Sequence, residues 1–156
     1  MAERVVVERI IRDLHAARIA GDLNAICAHF AERGRFRIAG ASADKPIAIS
    51  THTLEEFRPW LAMMIKVFRL SGYTRDMLLV EGSHAAVQWR VQIYSKITGV
   101  TVTTDLVDLV EVENGRIVSY TCHAGMIHLF YGMGGVIPYA REAFGLIGRD
   151  IRAALA

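Results

Sequence analysis

"TTDLVDLVEVENGRIVSYTCHAG", Thr103 to Gly125, reads as a β-hairpin. Two runs rich in β-branched residues flank Asn114-Gly115, a dipeptide suited to the positive φ angles of tight hairpin turns. One residue, Asp108, interrupts the apolar lettering. The face it takes depends on register, because a slip of one residue turns every side chain over. A two-residue turn at Asn114-Gly115 sets Asp108 across from Thr121, beside Ser119 and His123. A three-residue loop, Glu113-Asn114-Gly115, sets it against Tyr120. That second register gathers Leu106, Val110, Val112, Val118, Tyr120 and Cys122 on one face. It leaves Asp105, Glu111, Ser119, Thr121 and His123 on the other. Because it separates apolar from polar residues, it is the expected one. It puts a lone carboxylate against a tyrosine on an apolar surface.

Outward from the hairpin, the hydrophobic period changes in a definite order. Val7, Ile10, Ile11, Leu14 and Ala17 form a helical stripe within Glu3–Ala20,. His15 stands one step off that stripe and is expected at its margin. Gly21-Asp22 ends the helix, and Asp22 is placed to cap a short second one carrying Leu23, Ile26, Cys27 and Phe30. "GRFRIAG" alternates Phe36 and Ile38 with Arg35 and Arg37, as a strand does. After a loop, Thr53-x-x-Glu56 is a capping box opening a third helix, with Pro59 in or just past its first turn. Strands follow, roughly Tyr73–Glu81, His84–Lys96, Thr98–Val112 and Arg116–His123. Glycine-rich "YGMGG" leads to a last amphipathic segment, Pro138–Leu155. It is expected to be a helix with Ala143, Phe144, Ile147, Ile151 and Leu155 inward.

Helices followed by a run of strands make an α+β layout, with three helices on the concave face of a curved antiparallel sheet. The 156 residues read as one domain, with a core over 5–125 and a C-terminal extension over 126–156,. "MIHLFYGMGGVIPYA" is too apolar to be left in water, so the extension is expected to cover the mouth of the fold or a second subunit. Hydrophobic residues make up 53% of the chain, which argues against disorder,. Fifteen arginines are spread along it and the net charge is only +2, so nucleic acid is not an expected partner,. Nor is a membrane, since the longest nearly uncharged stretch, Ala124–Ala140, is short and glycine-rich for a span. No basic-then-apolar leader opens the sequence, and a cytoplasmic location is expected. Cys27 and Cys122 read as buried free thiols. The histidines show no ligand spacing, so no metal or other cofactor is expected.

"AGDLNAICAHFA", "WRVQIY" and "DLVDLVEVENGRI" together resemble the nuclear-transport-factor-2-like superfamily over about Val5 to Gly125. That superfamily holds ketosteroid isomerases, limonene-epoxide hydrolases and SnoaL-like polyketide cyclases. The resemblance implies a cone whose mouth holds a small apolar ligand. It places the isomerase's oxyanion-hole acid on Asp108. The isomerase's tyrosine would fall at Leu14 and its base at Ile38, neither able to transfer a proton, so steroid isomerisation is disfavoured. The epoxide hydrolases' Arg-x-Asp corresponds to Arg90-Val91-Gln92, where an amide replaces the acid, and that mechanism is disfavoured too. The last-strand acid of SnoaL-like cyclases would fall near Gly125.

The candidate site therefore centres on Asp108 and Tyr120 as groups meeting a polarised oxygen, with His123 ranked second. Leu14, Phe36, Ile38, Trp89, Val91, Val110 and Cys122 are the expected walls. The expected function is binding, or acid–base isomerase, cyclase or lyase chemistry, on an apolar carbonyl-bearing or polycyclic ligand. The alternative is a non-catalytic module that self-associates through Gln88, Arg90, Gln92, Tyr94, Ser119, Thr121 and His123; a homodimer is expected. Burial among apolar neighbours should raise the Asp108 pKa, and Asp108→Leu should be neutral or stabilising.

Overall fold

The computed structural model describes residues 2–41, 46–124, 149–153 and 155. Helices α1 (Ala2–Ala20), α2 (Leu23–Cys27) and α3 (Leu54–Val67) accompany strands β1 (Phe30–Ala41), β2 (Pro46–Thr53), β3 (Phe68–Glu81), β4 (His84–Ser95), β5 (Thr101–Glu113) and β6 (Arg116–Ala124). The strands make one curved sheet in the order β2-β1-β6-β5-β4-β3. This is the expected α+β fold with one correction: the sheet is not wholly antiparallel, because β1 and β6 run parallel. The cause is parity. Helix α3 carries the chain to the far edge, and the β3–β6 meander brings β6 back alongside β1 in the same direction.

Helix α1 buries the stripe read from the sequence: Val7, Ile10, Ile11, Leu14 and Ala17 face the core,. Asp22 caps α2 by accepting from the Ala25 amide at 3.0 Å,. Thr53 Oγ1 accepts from the Glu56 amide at 3.2 Å, and Glu56 accepts in turn from the His52 amide at 2.9 Å,. Strand β2 was expected to be loop. It buries Ile49 and Thr51 at alternate positions, a signal too short to stand out beside the strong cap that follows it,.

The hairpin resolves the question of Asp108 in an unexpected way. Its turn has two residues, Asn114 at φ 49° and Gly115 at φ 72°, with Glu113 paired to Arg116,. A bulge follows, because Val112 pairs with Ile117 but Glu111 pairs with Ser119, leaving Val118 as the extra residue,. From there Asp108 lies opposite Cys122 and Val110 opposite Tyr120. The expected loop is corrected, yet Asp108, Tyr120 and Cys122 do share the inner face, since the bulge supplies the residue that a longer loop would have. Ile117, fully buried, takes the inner place expected of Val118. Gly34 makes room for the bulge: a Cβ there would come within 2.3 Å of the Val118 carbonyl oxygen,.

The C-terminal residues that are described meet the sheet's outer face. The Arg37 guanidinium donates to both Asp150 carboxylate oxygens at 2.8 Å,. Ile151 and Leu155, expected inward, are instead exposed. Ala143, Phe144, Ile147 and the rest of 125–148 lie outside the described residues. Among the described residues no helix is long and apolar enough to cross a membrane.

Candidate functional site

Asp108 is the centre of a buried polar cluster drawn from four elements. Its Oδ2 lies 2.8 Å from His15 Nε2 on α1 and accepts from Trp89 Nε1 on β4 at 3.1 Å. Arg18 Nη1, one turn beyond His15, stands 3.8 Å from the same oxygen. That nitrogen also donates to the Tyr120 hydroxyl at 2.8 Å and lies 3.7 Å from Cys122 Sγ. The indole of Trp89 organises both side chains: the His15 ring stacks on it at 4.4 Å, and Arg18 Cζ sits 4.8 Å from its centroid,. On the far side of His15, Nδ1 lies 3.0 Å from the Tyr73 hydroxyl. A chain of polar contacts thus runs from half-exposed Tyr73 through His15 to Asp108.

Charge settles the protons. Burial alone would raise the Asp108 pKa, but the hydrogen bond from His15 and the charge of Arg18 outweigh it and hold the carboxyl below its ordinary value,. The expected rise is corrected: a carboxylate facing these donors is not a lone one. An ionised Asp108 only accepts, so His15 Nε2 carries the proton; in the neutral ring, Nδ1 then accepts from Tyr73. Burial works against the Arg18 charge, yet Tyr120, Cys122 and Asp108 beside it raise its pKa. Burial keeps Tyr120 protonated, well above its ordinary value, despite the opposing Arg18 charge. Cys122 is pushed up to about 12, chiefly by burial, so it is a thiol and no nucleophile,. Asp108 Oδ1 is buried without a hydrogen-bond partner among the described residues.

A pocket of about 680 Å³ opens at the mouth of the sheet. Ile26, Leu61, Met64 and Ile65 line its helical side and Ile93, Val102, Thr104 and Leu106 its strand side, with Arg18 on its wall. Arg18 is the member of the buried cluster that reaches it. Asp108 is sealed behind the guanidinium, and Tyr120 lies with it. The residues expected as walls, Leu14, Phe36, Ile38, Trp89, Val91, Val110 and Cys122, are packed in the core, and none of them lines this pocket. A second cavity, of about 660 Å³, lies over the outer face beside Arg37, Leu79, Leu109 and Ile151. The buried cluster touches the first and not the second, which makes the first the better site.

His15, expected at the margin of its helix, and Arg18 and Tyr73 are not among the expected site residues. The signal existed for two of them: Ile11, His15 and Arg18 follow at steps of four and three, extending the apolar face of α1,. His15 was expected at the margin but is fully buried. Tyr73 gave no such signal, because its place depends on a bulge in β3.

His123 takes the outer face, as the register implied, but it is buried rather than open to a partner. Neither ring nitrogen has a hydrogen-bond partner among the described residues, and Nε2 stands 4.0 Å from Asp150. Burial lowers its pKa below the ordinary 6.5, against a smaller opposing effect of Asp150. The fold therefore holds the neutral ring. Its contribution to stability is complete above pH 6.5 and is lost as pH falls through the lowered folded value,. The melting temperature should fall as pH drops from 7.5 toward 5, and His123→Leu should flatten that fall. An equally steep fall in the variant would assign it elsewhere, with His29, also lowered by burial, next in line.

Comparison with known proteins agrees with the fold. The family model described as "SnoaL-like domain" matches residues 11–120. A proposed isomerase from Bacillus subtilis is similar in structure, with a TM-score of 0.69 at 18% identity over 79% of this chain and 88% of that one. An LEH-like epoxide hydrolase of M. tuberculosis matches with a TM-score of 0.61 at 11% identity, over 76% and 82% of the two chains. A protein of ketosteroid isomerase-like fold from Catenulispora acidiphila, in complex with trimethylamine, matches with a TM-score of 0.62 at 16% identity, over 75% and 85%. At these identities the likeness is one of fold. Comparison with curated protein sequences finds no match.

Proposed function

The chain belongs to the SnoaL-like domain family, and from that premise we propose that it takes an apolar carbonyl-bearing or polycyclic small molecule into the mouth pocket and acts on it by acid–base chemistry of the isomerase, cyclase or lyase type. The observation that carries this reading is the placing of Arg18: a guanidinium kept charged in the wall of a mostly apolar pocket, with ionised Asp108 behind it. A fixed cation in a low-dielectric wall holds an anionic oxygen, or one that gains negative charge as an enolate or phenolate oxygen does, without reorganising. Arg18 is then the group that meets the ligand. Asp108, Tyr120 and Trp89 hold it in place, and the Tyr73–His15 chain fixes Asp108 in turn. Oxyanion stabilisation accounts for half of such chemistry; the proton acceptor is a ligand group or water, since Asp108 stays behind the guanidinium. Self-association through the outer face is the weaker reading, since Thr121 and His123 are already buried there.

A calorimetric screen of polycyclic ketones and phenols, with NMR of each mixture to detect turnover, tests the proposal. Val102→Trp is the control: Val102 is exposed and lines the mouth, so an indole there blocks the pocket while leaving the core alone. Binders that Val102→Trp weakens at least tenfold support the site. If no compound binds, or if binding is indifferent to Val102→Trp, the pocket is not the functional site.

A further inference from the structure

Building on that pocket reading, we propose that the natural ligand is an apolar carboxylate, or carries an equivalent planar pair of anionic oxygens, seated on the open edge of the Arg18 guanidinium. Every hydrogen-bond and ion-pair partner of Arg18 described above is met through Nη1, and Trp89 lies against the face of the guanidinium. Among the described residues its Nε and Nη2 make no hydrogen bond, and neither is one of the sealed polar atoms. Only 10% of the side chain is exposed, and Arg18 lines the pocket, so these donors open into it. Nε and Nη2 form the side-on fork of a guanidinium, two parallel donors whose spacing matches the two oxygens of a carboxylate. A single carbonyl oxygen would leave half of that fork unpaired in an apolar place, which is costly.

The rest of the lining agrees. Among the described residues its other charged side chains are Lys96 and Arg69, and no described lining residue is an aspartate or glutamate. Lys96 Nζ stays at the mouth, donating to the Ile65 carbonyl at 3.1 Å. Arg69 is turned over Tyr94, 4.9 Å from its centroid, so it adds little inside. Asp108 opposes an incoming anion, but it lies on the Nη1 side of the guanidinium, and His15 and Trp89 already donate to it. The apolar frame of the ligand would lie against Ile26, Leu61, Ile65, Val102 and Leu106.

Ligand-side chemistry tests this without relying on a variant that must fold. 2-Naphthoic acid, its methyl ester and 2-acetylnaphthalene, with the corresponding 9-substituted anthracene set, are titrated into the full-length protein at pH 7.5. The acids should bind at least tenfold more tightly than ester or ketone, and added salt should narrow the difference. Arg18→Lys keeps the charge but lacks the fork, and it should remove most of the preference. Esters or ketones binding as tightly as the acids would overturn the carboxylate while leaving the pocket reading intact. If neither series binds, or if acid binding ignores Val102→Trp, both fall together.

Discussion

Asp108→Leu should melt on the order of 10 °C below the parent. Leucine keeps the branched shape, with two methyl groups somewhat larger than the carboxylate oxygens, and is apolar, and the sequence alone would make the exchange neutral or stabilising. The neighbours reverse that expectation. Without the carboxylate, His15 Nε2 and Trp89 Nε1 lose their acceptor and Arg18 loses its counter-charge, all in buried surroundings. Removing one partner from a buried ionic cluster costs about 3–5 kcal/mol, because the charges left behind cannot be rehydrated. In a chain of this size each kcal/mol moves the melting point by about 2–4 °C. Asp108→Asn keeps an acceptor for one donor and should lose less. It should also change the response to acid. The folded Asp108 pKa lies below the ordinary 3.8, so its stabilisation is complete above that value and disappears as pH falls through the lowered one,. The asparagine variant should lack that acid limb. A leucine variant melting at or above the parent would mean that Asp108 is not the charged centre of the cluster.

Local periodicity made most of the fold legible. The α1 stripe, both helix caps and the inward face of the hairpin are set by residues a few positions apart. What escaped depended on distant partners. The Val118 bulge is fixed by the passage of Gly34 on another strand, and no neighbouring residue announces it. The parallel pairing of β1 and β6 is likewise a consequence of where α3 delivers the chain. At the site, Asp108 was legible as an anomaly: a charge in an apolar run must be answered by something. What answers it was not, because His15 lies 93 residues away along the chain and Tyr73 lies 58 residues from His15. Burial weighed against Tyr120 alone gives the wrong sign for the carboxyl pKa, because His15 and Arg18 are the groups that lower it. The expected walls rest on inward position along helix and strand, and for Leu14 and Ile38 also on the family resemblance. Parity separates inside from outside, but it cannot tell a packed core from the open end of the same cone, where Val102, Thr104 and Leu106 continue the strand that carries Asp108.

Arg18→Met should abolish binding of whatever the pocket holds, at least a hundredfold in affinity, if a charge-assisted fork anchors the ligand. Methionine fills a similar volume and can lie on the Trp89 ring, so the change is a loss of charge more than of packing. It leaves Asp108 without its cation while His15 and Trp89 still donate to it, and the carboxyl should protonate at higher pH than in the parent. Loss of stability could by itself explain a loss of binding, and the double variant separates the two. In Arg18→Met/Asp108→Leu no uncompensated charge remains from the pair, and replacing a buried ion pair with apolar residues is often neutral or better. Two groups 3.8 Å apart in one network are not independent, so the double variant should be more stable than the sum of the single losses by about 1–3 kcal/mol. Its affinity should nevertheless stay as low as that of Arg18→Met, because part of the stability returns and the guanidinium does not. A double variant that melts like the parent and also binds like it would remove Arg18 from the site.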